Sequence, residues 1–159
     1  MQNNLLQEAF NWCELAKSKY NIQTVICGGC ARDVWFGIEP KDVDIMIFGG
    51  ADEDTISDAV SELGASLSLH IYNERYLDRL EHIWKVKDKP IDILLYNCET
   101  ALEVVEALDF NINQFVLVSP MDSRYWGNTG LDTLVAIRGD HSYRREVYMR
   151  EKHKQLISL

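Results

Sequence analysis

The spacing of apolar residues along the chain changes repeatedly between a helical period and a strand period. Residues 1–20 carry their apolar side chains near one stripe, which predicts an amphipathic helix: Leu5, Leu6, Phe10, Cys13 and Ala16. The segment 23–27, QTVIC, has strand composition and ends at a glycine pair. Residues 30–37 then predict a short helix that ends at a further glycine.

The middle of the chain continues this alternation. Residues 40–49, PKDVDIMIFG, predict a strong strand, because a proline is acceptable at its first position. Residues 51–64 predict a helix with acidic residues in its first turn, and 66–72 alternate like a strand. Two strand-like runs within 81–97 flank the turn-forming sequence Asp88-Lys89-Pro90, so they predict an antiparallel hairpin.

The last third of the chain predicts two helices around an extended segment. Residues 98–108 form a helical pattern with Glu99 or Thr100 at its cap, and 111–120 return to extended structure. The tail, 141–159, predicts a final helix that carries several basic residues. This order predicts an α+β fold, with a small mixed or antiparallel sheet and helices packed on it.

Length and composition fit one domain that spans residues 1–159. We expect its core at about 20–138 and a C-terminal helix at about 141–158. The chain has 159 residues, of which 47% are hydrophobic and 26% charged, and its apolar runs are too short for a membrane span. The N-terminus lacks a basic segment followed by an apolar one, so the expected location is the cytoplasm. The net charge of -9 restricts any nucleic-acid contact to a local basic patch.

The four cysteines, at 13, 27, 30 and 98, show no regular framework. The Cys27-Gly-Gly-Cys30 pair has the spacing of a redox motif or of half a zinc site, but a zinc site needs a second pair. Free, mostly buried thiols are the favoured interpretation.

Acidic residues stand on two apolar strands. Asp42 and Asp44 share one face of their strand, while Asp92 repeats the arrangement in the predicted hairpin. If the strands join one sheet, each close pair would repel by about 4 kcal/mol at about 4 Å, so a cation is expected there. Carboxylates suit Mg²⁺ or Mn²⁺. The alternative for each acid is a position on the solvent-exposed side of the sheet.

The glycine turn before the first short helix adds a candidate anion site. Gly28 and Gly29 let the backbone approach a ligand closely, so N–H groups of the turn and helix start can face phosphate oxygens. Arg32 adds a fork of donors for phosphate. Asp33 is expected to have a structural role, as a partner either for the backbone or for Arg32. Lys41 is a phosphate candidate, with a solvent-facing lysine as the alternative. Trp35 and Trp84 are expected in the core.

The segment CGGCARDVWFGIEPKDVDIMIF resembles the signature of the polymerase-beta-type nucleotidyltransferase superfamily. The resemblance is closest to the head domain of bacterial-type CCA-adding enzymes and poly(A) polymerases. Their pattern runs Gly-Gly-x-x-Arg-Asp, a short helix, Gly, then Lys-Asp-x-Asp. Every element of that pattern is present here, in order, over residues 25–48.

A second segment, ALDFNINQFVL, resembles the family sequence Arg-Arg-Asp-Phe-Thr-Ile-Asn-Ala. It keeps Asp109 and Asn113 but has Ala107 and Leu108 in place of the two arginines. In the family this segment helps to hold the sugar of the incoming nucleotide, so the substitution bears on nucleotide choice. Contact with the nucleotide and local capping remain alternative roles for Asp109 and Asn113. A looser resemblance follows at Gly130, Asp132, Leu134 and Arg138.

The resemblance implies a metal-dependent nucleotidyltransferase. It would move a nucleoside monophosphate from an NTP to an acceptor hydroxyl, expected at a tRNA-like RNA end, and release pyrophosphate. It assigns two divalent ions, Mg²⁺ or Mn²⁺, to Asp42 and Asp44, with Asp92 joining one of them and also accepting the hydroxyl proton.

The chain corresponds to a head alone, so a partner chain or a second copy would supply the neck and body functions. Two alternatives stay open. The first is a small-molecule or protein hydroxyl as acceptor. The second is a non-catalytic head that binds a nucleotide or a protein. The basic stripe of the last helix has two interpretations, RNA contact and, preferred, an ordinary solvated face.

Overall fold

The computed structural model describes residues 4–70 and 79–159. The helices are α1 (Asn4–Tyr20), α2 (Gly29–Trp35), α3 (Glu53–Ser61), α4 (Ala101–Glu106) and α5 (Tyr143–Ile157). The strands are β1 (Gln23–Cys27), β2 (Val43–Phe48), β3 (Ala65–His70), β4 (Leu80–Val86), β5 (Ile91–Tyr96), β6 (Phe115–Ser119) and β7 (Asp122–Tyr125). The last two residues of the predicted strand 66–72 lie outside the described residues.

The strands form one seven-stranded sheet in the order β3-β4-β5-β2-β1-β6-β7. β2 and β5 run parallel, and the other neighbouring pairs are antiparallel. The predicted hairpin is confirmed as β4 and β5. The predicted α+β fold with a mixed sheet is therefore confirmed.

One face of the sheet packs against α1 and α3. Its centre is a layer of fully buried branched side chains, Val43, Ile45 and Ile47 on β2 with Ile91 and Ile93 on β5. Because side chains alternate along a strand, this layer forces the intervening residues onto the opposite face. The two strands that carry the predicted acids are therefore held rigidly from behind.

The opposite face is covered by α4 over only part of its area. Met46 and Phe48 of β2 pack there with Val104 and Val105 of α4. Thr100 caps this helix, because its side-chain oxygen accepts a hydrogen bond from the Glu103 backbone N–H. The uncovered end of the face, at the start of β2, is where the acidic residues lie.

Helix α5 docks beside this uncovered end. Met149 and Leu156 on one side of α5 pack against Phe110 and Ile112, which lie around a short 3-10 turn at Asn111–Asn113. The helix has a predominantly polar surface otherwise, so this small apolar contact decides which side of α5 faces the sheet. None of the helices in residues 4–70 and 79–159 combines the length and apolar character that a membrane crossing requires.

The two tryptophans expected in the core behave differently. Trp84 on β4 is 2% exposed, as expected, but Trp35 at the end of α2 is 47% exposed, so the prediction for Trp35 is wrong. Its ring packs against Phe115 with 5.4 Å between ring centroids. The rest of the ring lies at the rim because α2 ends there, which sequence periodicity over so short a helix could not show.

Candidate active site

A cleft of about 570 Å³ opens at the start of β2, between α2, β5 and α5. Most of the predicted site residues line it: Gly28, Gly29, Arg32, Lys41, Asp42, Asp44 and Asn113. Asp92 and Asp109 are not among the residues that line this cleft. A larger cleft, of about 680 Å³, lies along α5 and contains none of the predicted site residues. The cleft at the start of β2 is therefore the candidate site.

The parallel pairing of β2 and β5 places the acidic residues side by side. Asp44 and Asp92 are direct register partners, so their side chains leave the same face of the sheet. The pKa of Asp44 is raised to about 6, first by burial and then by the charges of Asp92 and Asp42. The charge of Lys85 acts in the opposite direction. Asp44 is therefore repelled by both of the other predicted acids in the folded chain.

Asp92 is already paired with a lysine. Lys85 Nζ lies 3.0 and 3.2 Å from the two carboxylate oxygens of Asp92, across the β4–β5 pairing. Within residues 4–70 and 79–159, no three Asp, Glu, His or Cys side chains come close enough to form a ready set of metal ligands. The acids are thus close to one another but do not form a complete set of metal ligands. Their all-carboxylate chemistry and mutual repulsion nevertheless fit a hard divalent cation.

The glycine turn has a backbone that requires glycine. Gly28 has φ 88° and ψ -143°, which residues with a Cβ rarely adopt. Its N–H donates to the Phe115 carbonyl at 3.1 Å, so this donor belongs to the sheet and not to a ligand. A Cβ on Gly29 would lie 3.3 Å from Arg32 Nη2. The turn therefore places its backbone beside the Arg32 guanidinium at the cleft. The Gly28 N–H, which the sequence suggested as a donor to phosphate, is not available to a ligand.

Arg32 is buried, with 7% of its surface exposed, and is held in a fixed orientation. Its Nε and Nη2 each lie 3.2 Å from Asp33 Oδ1, one of the two structural roles expected for Asp33 from the sequence. Its Nη1 donates to Asn113 Oδ1 at 2.9 Å. These contacts use three of the five guanidinium N–H groups, and the other two can serve an anion in the cleft.

Asn113 and Asp109 connect this arginine to α5. Asn113 Nδ2 donates to Asp109 Oδ1 at 3.0 Å, and Arg145 Nε donates to Asp109 Oδ2 at 2.8 Å. Burial acts to raise the pKa of Asp109, but the Arg145 hydrogen bond and charge outweigh it and hold the pKa below its ordinary value. Asp109 is therefore a bridge between Asn113 and α5. Lys41 is exposed in the cleft, next to the acidic pair.

The sequence did not identify the contribution of α5. Arg145, Tyr148 and Lys152 all line the cleft. The interpretation of the basic stripe as an ordinary solvated face fails for Arg145, which is paired with Asp109, and holds for Arg150, whose side chain is 71% exposed. The spacing of three and four residues, which places these side chains on one helix face, was the available signal.

The structure favours the interpretation of the cysteines as free thiols. All four are free, and Cys27 and Cys30 are buried. Burial raises the pKa of Cys27 well above its ordinary value and that of Cys30 to about 12. A reactive or metal-binding cysteine needs the opposite shift. The two thiols therefore pack in two different apolar clusters of the core rather than forming a redox or zinc site.

Comparison with known proteins identifies solved structures that share the fold of this chain. No family model matches the chain, and no curated protein matches it. An apo structure of a tRNA-processing enzyme is 20% identical with a TM-score of 0.54, over 79% of this chain and 33% of that one. A Thermotoga maritima CCA-adding enzyme complexed with tRNA is 18% identical, with a TM-score of 0.53, over 74% and 27%. A CCA-adding enzyme complexed with ATP is 19% identical, with a TM-score of 0.50, over 74% and 28%.

The chain thus corresponds to about a third or less of the length of these enzymes. At such identities the likeness establishes the fold alone. The chain therefore shares its fold with the matched part of these CCA-adding and tRNA-processing enzymes, which supports the expected resemblance to a nucleotidyltransferase head.

Proposed function

We propose that this chain is a metal-dependent nucleotidyltransferase that moves a nucleoside monophosphate from an NTP to a hydroxyl of an RNA, at a tRNA-like end. One observation supports this most strongly. The acidic pair Asp42 and Asp44 lines the same cleft as Gly29 and Arg32, the residues predicted to bind an anion. Phosphoryl transfer needs negative and positive groups side by side, one set for cations and the other for phosphate oxygens.

Each element of the cleft has a chemical role in this proposal. Asp42, Asp44 and Asp92 would hold Mg²⁺ or Mn²⁺, which when bound neutralises the triphosphate and favours ionisation of the acceptor hydroxyl. Arg32 orients the β- and γ-phosphates, because its buried guanidinium cannot turn away from the cleft. Asp92 accepts the hydroxyl proton at a carboxylate oxygen, and Lys85 must release that oxygen first.

Helix α5 supplies groups that the second resembling segment lacks. Ala107 is buried and Leu108 lines the cleft, so this segment offers an apolar wall where the family has two arginines. Arg145 brings a guanidinium to Asp109 from the other side, and Lys152 adds a second cation. Tyr148, 53% exposed, offers a ring for a base. Nucleotide choice in this chain would therefore depend on α5.

The acceptor is proposed on two grounds. The fold matches enzymes whose structures are described with tRNA and with ATP, and cations of α5 border the cleft. The chain spans a third or less of the length of those enzymes. A partner chain or a second copy is proposed to hold RNA outside the cleft. The net charge of -9 favours a second candidate, transfer to a small-molecule or protein hydroxyl. A non-catalytic binding head is a third, although such a head has no need of mutually repelling acids.

Labelled nucleotides separate these candidates. The protein is incubated with each labelled NTP, Mg²⁺ and total RNA, and the label is followed into RNA, protein and small molecules. Label is expected in RNA, and the double variant Asp42→Ala/Asp44→Ala should reduce the rate by at least about 100-fold, because charge stabilisation is lost.

The matched control is Asp54→Ala/Asp58→Ala, which removes two exposed acids from α3 behind the sheet and should leave the rate unchanged. Label that enters protein or a small molecule would support the second candidate. Biological activity that survives the Asp42/Asp44 double change would support the binding head.

A further inference from the structure

The row of charges at the start of β2 contains a cation of its own. We propose that Lys85 is a positioning residue that sets the divalent-cation affinity of the acidic site, because its ammonium group occupies Asp92 until a metal ion displaces it. The inference rests on the proposed function, since it assumes that Asp42, Asp44 and Asp92 bind a divalent cation.

Strand pairing fixes the position of Lys85. Lys85 on β4 is the register partner of Asp92 on β5, and Asp92 is the register partner of Asp44 on β2. Three adjacent strands therefore carry lysine, aspartate and aspartate in one row on one face of the sheet. The ammonium nitrogen lies within 3.2 Å of both Asp92 oxygens, so both oxygens are partly neutralised.

The row and the adjacent Asp42 carry an excess of negative charge that attracts cations. Asp42, Asp44, Asp92 and the Lys85 ammonium have a formal charge of -2, and the exposed Lys41 lies beside them. If Lys85 moves away, the charge becomes -3 and the acids attract cations more strongly. The influence of Lys85 extends beyond its partner, since its charge also acts on Asp44. The lysine thus competes with any cation for the same carboxylates.

The exposure of the pair argues against a mainly structural role. The Lys85 side chain is 59% exposed and that of Asp92 33% exposed. Exposed ion pairs contribute little to stability, and a long lysine side chain can leave its partner without disturbing the sheet. Lys85 can therefore hold Asp92 in the metal-free protein and release it when a metal ion arrives.

Manganese binding to the nucleotide-free protein tests the inference without any measurement of activity. Free Mn²⁺ is counted by electron paramagnetic resonance during titration of the wild type and of Lys85→Met. The variant should bind Mn²⁺ about tenfold more tightly, because one competing positive charge is gone. Lys87→Met is the matched control, because it removes the charge of an exposed lysine two residues along the hairpin and should leave the affinity unchanged. Lys85→Arg restores a cation and should retain the wild-type affinity.

The same titration separates failure of this inference from failure of the proposed function. If the wild type binds Mn²⁺ through Asp44 and Lys85→Met binds no more tightly, the inference is overturned and the metal site stands. If neither protein binds Mn²⁺, or Asp44→Asn in the Lys85→Met background leaves binding intact, the metal site itself is overturned. Equal tightening by Lys87→Met would show a general charge effect and would also overturn the role given to Lys85.

Discussion

Replacing Arg32 with methionine is expected to lower the free energy of unfolding by about 3 kcal/mol and to abolish NTP binding. The guanidinium is buried and hydrogen-bonded to Asp33 and Asn113, so its removal leaves a carboxylate and an amide without their donor. The same change removes the donors proposed for the β- and γ-phosphates. Urea unfolding measures the first effect, and a titration with a fluorescent NTP measures the second.

The control for this prediction is Arg124→Met. Arg124 also pairs with an aspartate, Asp122, but its side chain is 60% exposed, so the change should alter stability by less than about 0.5 kcal/mol. It should leave NTP binding intact. An Arg32→Met protein that binds NTP with wild-type affinity would contradict the phosphate role, whatever its stability.

Asp44→Asn is expected to have opposite effects on stability and on activity. In metal-free buffer at pH 8 the variant should be about 2 kcal/mol more stable than the wild type, yet it should have lost transfer activity. Asp44 has a pKa of about 6 in the folded chain, against an ordinary value of 3.8, chiefly because of burial and its acidic neighbours. At pH 8 the folded wild type therefore carries a negative charge on Asp44, and this charge lowers its free energy of unfolding.

The sign of the pH dependence follows from the raised pKa. Between about pH 4 and pH 6 the folded protein holds a proton on Asp44 that the unfolded chain has released. The contribution of Asp44 to wild-type stability is thus present below pH 4 and lost as the pH rises through 6. The advantage of Asp44→Asn should vanish near pH 4 and be complete above pH 7.

The matched control is Asp54→Asn, which changes the charge equally at an exposed position on α3. It should show no gain in stability at pH 8. Added Mg²⁺ should stabilise the wild type and not Asp44→Asn, because a ligand stabilises only the state that binds it. An Asp44→Asn protein whose stability relative to the wild type does not change with pH would contradict the electrostatic account.

The sequence predicted the part of the site that local rules govern. The alternation of residues 43–47 and 91–95 placed the aspartates opposite buried branched side chains, and the turn at Asp88-Lys89-Pro90 predicted the pairing of β4 and β5. These inferences succeed because strand alternation and turn chemistry depend on neighbours in the chain. The parallel pairing of β2 with β5 does not depend on neighbours in the chain. The direct register of Asp44 with Asp92 could therefore be seen only in the structure.

The features that sequence analysis missed depend on tertiary contacts. Lys85 was one of several charged residues in a hairpin until the register placed its ammonium on Asp92. The approach of Arg145 to Asp109 follows from how α5 docks on a small apolar patch, which no periodicity specifies. The Gly28 N–H, expected to face phosphate, instead donates to the Phe115 carbonyl, because it directly follows β1 and continues the hydrogen bonding between β1 and β6.

A crystal of the protein soaked with Mn²⁺ and a non-hydrolysable NTP tests the central claim most directly, through the anomalous signal of the metal. The account predicts manganese bound by Asp42 and Asp44, and a triphosphate that contacts Arg32 beside Gly29. Manganese bound at other carboxylates, or a triphosphate seated in the larger cleft along α5, would contradict it.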